Sequence, residues 1–157
     1  MVRTVSARSL TLFVLCILSG CQSAERASLT PLAPEVIPTM GELMARGKSQ
    51  INAAHEFYYS DRWKDLELAS VALKETGSYL GKLPLPNATE AQRAKLVTLT
   101  KDFSDNADQL KAASAAQDPV KTNQIFQRLN EIYRQLRVEQ MIVAPITGET
   151  TPPPPSK

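Results

Sequence analysis

Four stretches of this chain repeat apolar residues at three-four spacing, each bounded by residues that start or stop a helix, and this pattern constrains the fold most. Thr39 opens the first, with Glu42 three residues on completing a capping box. Met40, Leu43, Met44, Gly47, Ile51, Ala54 and Tyr58 then recur on one face. Asp61 is expected to cap the second, where Trp63, Leu66, Ala69, Leu73, Gly77 and Leu80 keep the spacing until Gly81 and Pro84 stop it. After the loop "GKLPLPNA", Thr89 starts a long third helix whose stripe is Gln92, Leu96, Leu99, Phe103, Ala107, Leu110 and Ala113. Asp118-Pro119 pairs an N-cap with proline at the first helical position. Val120, Ile125, Phe126, Leu129, Ile132, Tyr133 and Leu136 form the fourth stripe.

No segment alternates with period two for long enough to suggest a sheet. Four amphipathic helices on short connections bury their stripes best as an antiparallel four-helix bundle, so the expected class is all-α. At 157 residues with 43% hydrophobic and 22% charged, the chain has the makings of one domain with a real core. The bundle is expected over residues 39–141. Strict heptads are not sustained, which favours a compact bundle over a long coiled coil.

The flanks differ from this central part. "MVRTVSARSLTLFVLCILSGCQS" has a basic start, an apolar run over residues 10–18 and then small residues, the anatomy of a secretory signal too short to span a bilayer stably. Its end, Leu18-Ser19-Gly20-Cys21, resembles a bacterial lipobox at every position. That resemblance implies cleavage after residue 20 and acylation of Cys21 as the mature N-terminus. Gln22 behind it implies sorting to the outer membrane of a Gram-negative cell, on the periplasmic side. Residues 21–38, with Pro31, Pro34 and Pro38, read as a tether from membrane to domain. Residues 142–157, ending in "TPPPPSK", read as a disordered or polyproline tail.

Charge and cysteine usage narrow the chemistry. Cleavage after residue 20 would remove Arg3 and Arg8, two of the 18 basic residues, and none of the 16 acidic ones, leaving a neutral chain. No Lys/Arg block argues for nucleic acid. Cys16 lies in the cleaved segment and Cys21 would be consumed by its thioether, so no thiol remains for a disulfide or a metal. His55 is the single histidine, and HExxH, paired ExxH, CxxC, a glycine-rich phosphate loop and GxSxG do not occur. Triads and zinc sites lack their usual parts, and no catalytic or metal-ligating set is proposed. Glu56, Asp61, Asp65 and Glu67 fall near the first turn between helices, where capping and solvation account for them.

The run "FYYSDRWKDLELASVALKETGSYLGKL", followed by "LTKDFSDNADQLKAASAAQDPVKTNQIFQRLNEIYRQLR", resembles the cytochrome c-prime superfamily of four-helix bundles over about residues 40 to 140. The likeness lies in a D-x-W-type turn into helix two, an Ala-rich third helix ending in a small-Asp step, and a Phe-x-x-Leu lead-in on helix four. In that family the lead-in precedes CxxCH, whose thiols attach haem and whose histidine ligates iron. Here, aligned on Phe126 and Leu129, those places hold Tyr133, Leu136 and Arg137. No thioether forms there, and arginine stays protonated and will not ligate iron.

Relatives with non-covalent haem imply a first-helix Met and a fourth-helix His. Met40 or Met44 matches the former and nothing matches the latter. His55 lies about three turns beyond Met44 on the same helix, too far to share one iron with it. Two function classes follow. The first is a non-catalytic, membrane-anchored lipoprotein whose bundle binds another envelope protein, a peptide or a small ligand and needs no cofactor. The alternative is a haem or electron-transfer protein with unusual ligation, through His55 or Met44. Tyr58, Tyr59 and Trp63 cluster at a helix junction and suit either burial within a monomer or a weak homodimer.

Overall fold

The computed structural model describes residues 29–32 and 38–143, without the side chains of residues 142 and 143. The described residues form four α-helices and no strand: α1, Met40–Tyr59; α2, Trp63–Lys82; α3, Glu90–Ala115; and α4, Pro119–Val143. The expected signal segment, Cys21 and the tail beyond residue 143 lie outside the described residues. The fourth helix runs two residues past the expected boundary at Met141.

Local chemistry accounts for most helix ends. Thr39 and Thr89 close full capping boxes with Glu42 and Gln92, so the first orphan amides of α1 and α3 are satisfied by side chains. Gln92 therefore serves as a cap, not as a stripe residue as its spacing predicts. Asp118 Oδ1 accepts from the Lys121 amide at 2.9 Å and caps α4 as expected.

The end of α1 differs from expectation. Asp61 does not cap α2; it adopts φ 54°, and Arg62 stands at the N-cap with no side-chain cap bond. The Arg62 and Asp61 amides donate to the Phe57 and Tyr58 carbonyls, the paired bonds of a Schellman motif. The α3–α4 connection repeats it. Gln117 takes φ 50°, and the Asp118 and Gln117 amides donate to Ala113 and Ser114. In each three-residue turn the last residue of the C-terminal motif is already the N-cap of the next helix. The chain thus reverses within one helical turn, and antiparallel packing of α1 on α2 and α3 on α4 follows.

Cross-helix contacts give the register. Thr76 Oγ1 donates to Gln50 Oε1 at 2.9 Å between α1 and α2, with both residues fully buried. Lys74 meets Asp108 at 2.7 Å between α2 and α3, and Lys95 meets Glu139 at 2.5 Å between α3 and α4. Tyr58 Oη donates to the Pro119 carbonyl and Tyr133 Oη to that of Met44, closing α4 back onto α1. The core is the predicted one for the most part: Leu43, Ile51, Leu66, Leu73, Phe103, Leu110, Phe126, Leu129 and Leu136 are buried. Val120, placed in the fourth stripe by spacing, is 68% exposed, and the inward place in the first turn of α4 is taken by Thr122, which is fully buried.

Residue size sets how closely the helices approach. On α2, Gly77 lies against Phe103 and Ser104 of α3, and Gly81 lies against Thr100, so α2 and α3 share the tightest seam. Between α1 and α4 stand Met44, His55, Phe126 and Tyr133, and of the neighbouring helix pairs these touch least. That seam is left with a groove. Part of the expected tether also packs: Leu29 and Leu32 lie against the core, the Leu32 amide donates to Glu75 Oε1, and Arg46 donates to the Thr30 carbonyl.

Candidate functional site

The α1–α4 groove gathers the polar side chains with the most specific geometry in the described chain. His55, half-buried on α1, stacks on the Phe126 ring with centroids 4.0 Å apart and planes 20° apart. Asn130 on α4 donates through Nδ2 to the Phe126 carbonyl at 3.0 Å, and the same nitrogen lies 3.2 Å from His55 Nε2. Donation to a carbonyl fixes the orientation of the amide, so Nε2 accepts and the imidazole proton resides on Nδ1. Burial holds the His55 pKa below its ordinary value, and the ammonium of Lys48 pushes the same way. This is a neutral, packed histidine.

These features do not fit haem ligation. The Nε2 lone pair of His55 is occupied by Asn130, and the phenyl ring of Phe126 covers one imidazole face. Met44 is 3% exposed in the core and stands about 16 Å from His55 along the axis of α1. At the positions where the resemblance places the haem motif, Leu136 is fully buried and Tyr133 is bonded to the Met44 carbonyl at 2.9 Å. Met40, the other methionine considered, is partly buried against the core.

Towards the tether-bearing end, the groove opens into a recess of about 250 Å³ lined by Lys48, Asn130, Tyr133, Arg134 and Arg137. The Tyr133 ring lies against α1 at Gly47, 3.8 Å from where a Cβ would stand. Burial raises the Tyr133 pKa and neighbouring Arg137 opposes that rise, so the phenol keeps its proton and its bond to Met44. Arg137 was legible as the residue standing where an iron ligand is expected. Lys48, Asn130 and Arg134 were not, because helical period marks them only as polar positions. Their convergence depends on the α1–α4 register.

At the opposite end of the groove Tyr58 packs tilted or edge-on against Tyr59, Trp63 and Phe126, the aromatic cluster expected from sequence. Tyr59 is 76% exposed. A second, apolar recess of about 690 Å³ lies at the α2–α3 loop, walled by Leu80, Leu83, Leu85, Leu96 and Val97. Among the described residues no three His, Cys, Asp or Glu side chains are grouped to hold a metal ion. Asp61 is exposed at its turn and Asp65 pairs with Arg62. No described helix is long and apolar enough to cross a membrane.

Fold and groove together define a class: an all-helical four-helix bundle with a polar, cation-rimmed seam between its first and last helices. Comparison with family models, curated proteins and solved structures finds no match to this chain.

Proposed function

We propose that this chain is a lipid-anchored lipoprotein facing the periplasm from the outer membrane. Its bundle is cytochrome c-prime-like in architecture and acts as a non-catalytic binding or scaffold module. The anchor rests on Leu18-Ser19-Gly20-Cys21 and the apolar run before it. The binding role rests on one observation above others: Phe126 and Leu136 are buried in the core, Tyr133 is bonded to the Met44 carbonyl, and what is left open between α1 and α4 is a polar groove.

Two measurements test it. Fractionation of cells producing the full chain and its Cys21→Ser variant should find the first in the outer membrane and the second released. Persistence of the variant in the membrane fraction at high salt would remove the anchor assignment. An absorption spectrum of the purified full chain, with and without added haem, should show only free haem. A Soret band that vanishes in His55→Ala would replace this reading with a haem or electron-transfer role.

A further inference from the structure

The recess between α1 and α4 concentrates positive charge in a domain that is otherwise balanced. Lys48 enters from α1, and Arg134 and Arg137 enter from one face of α4, three residues apart. Among the described residues the one carboxylate bonded to any of the three is Glu131, which holds Arg134 and also accepts from Gln135. Lys48 and Arg137 have no carboxylate partner among the described residues; the Lys48 ammonium instead lies 6.0 Å from the centroid of the Tyr133 ring. The other cations of the inter-helix seams are paired: Arg46 with Glu75, Lys74 with Asp108, and Lys95 with Glu139. Lys48 and Arg137 face each other across a concave site also lined by Arg134, Tyr133 and Asn130.

We propose that this recess binds a dianionic phosphate, either inorganic phosphate or the terminal phosphomonoester of a small molecule or lipid headgroup. Three cations against one carboxylate leave two positive charges, which a dianion neutralises and a singly charged phosphodiester does not. The Arg137 guanidinium is an uncommitted fork that suits a tetrahedral oxyanion, Arg134 keeps donors beyond the one held by Glu131, and Lys48 adds a point charge from the facing helix. The volume exceeds that of phosphate alone and leaves room for a small attached group or for water. The inference names a ligand for the groove proposed above as a binding surface, and it rests on that reading.

The test uses the full chain in neutral detergent, titrated with inorganic phosphate at constant ionic strength in chloride. Calorimetry should show one saturable site with a Kd of about 1 mM or tighter. The ring signals of His55, the chain's single histidine and joined to the recess through Asn130, should shift along the same isotherm. Arg137→Gln and Lys48→Gln should each weaken binding about tenfold or more. Lys111→Gln, an exposed cation elsewhere, should not. All three positions are exposed, and circular dichroism checks their helix content. Should Arg137→Gln unfold, Arg137→Lys serves instead, keeping the charge but losing the fork, with a smaller loss.

Competition by micelles carrying a phosphomonoester lipid, but not a phosphodiester lipid, would assign the phosphate to a headgroup. Absence of competition would assign it to a soluble anion. No saturation up to about 20 mM phosphate, equal suppression by chloride, or unchanged affinity in both Gln variants would overturn the site. A Soret band in the purified chain would instead overturn the haem-free reading, whatever the phosphate titration gives.

Discussion

At the scale of single residues, His55 shows how a group that looks like a ligand becomes a structural one. Its Nε2 accepts from Asn130 and its pKa lies below the ordinary 6.5, so the native state favours the neutral ring. The stability this contributes is fully present above pH 6.5 and is lost as pH falls through the lowered native value. Between pH 7.5 and 5 the melting temperature should therefore fall further for the wild-type chain than for His55→Gln. Parallel curves would mean that protonation does not disturb the stack. The window stays above the range of Glu42 and Glu131, whose pKa values are lowered from 4.5, the former by hydrogen bonds from Thr39 and the latter by those from Gln135 and Arg134.

Two glycines make a second contrast at this scale. A Cβ at Gly47 would meet Thr76 Cγ2 at 3.7 Å and Tyr133 Cε2 at 3.8 Å, ordinary contact distances. Gly47→Ala should thus gain helix propensity and stabilise by about 0.5–1 kcal/mol. At Gly77 the same methyl group would stand 2.5 Å from Ser104 Oγ and 3.0 Å from Phe103 Cδ1. Ser104 can rotate, but Phe103 is locked in the core, so Gly77→Ala should destabilise by about 1–2 kcal/mol. Urea melts of the two variants check the opposite signs, and stabilisation by both would show that the α2–α3 seam yields.

At the scale of elements, the helices and three of their four N-caps, Thr39, Thr89 and Asp118, were legible because both signals are local. Thr39 with Glu42 and Asp118 before Pro119 announce helix starts from a few neighbouring residues, and the apolar stripes name nearly every core position. The turns were not legible in the same way. Asp61 and Gln117 hold left-handed seats that glycine usually takes, so nothing in their identity marks them, and Asp61 resembles a cap one residue before the true N-cap. Pairing between helices was also hidden. Gln50 in an apolar face weakens the stripe until its partner on α2 is known, whereupon it becomes half of a buried bond to Thr76. Thr76→Val keeps the shape and removes the donor, and should cost about 1–3 kcal/mol in chemical denaturation because it takes a buried bond from Gln50 Oε1. A loss below about 0.3 kcal/mol would show that the remaining interactions of Gln50 suffice.

At the scale of the whole molecule, the helices do not share the packing equally. Glycines on α2 bring α3 close, and large aromatic side chains hold α4 away from α1, so α4 is secured mainly by its seam with α3. The helical period could not reveal this, because it fixes which face turns inward and not the distance at which two faces meet. The groove with its cations is the consequence of that uneven spacing. Opening of α4 away from α1 breaks two tyrosine hydrogen bonds and the His55–Asn130 contact, whereas parting α2 from α3 disrupts the tightest interface. Native-state hydrogen exchange should therefore reveal a sub-global step in which amides in the final turns of α4 exchange at least about tenfold faster than those at the centres of α2 and α3. If the recess binds phosphate, adding it should slow the α4 amides near Asn130 and Arg137 while leaving those of α2 unchanged, since the anion would join only the two helices of the loose seam. Uniform protection along all four helices would mean that the bundle opens as one unit and that the groove is no looser than the seams around it.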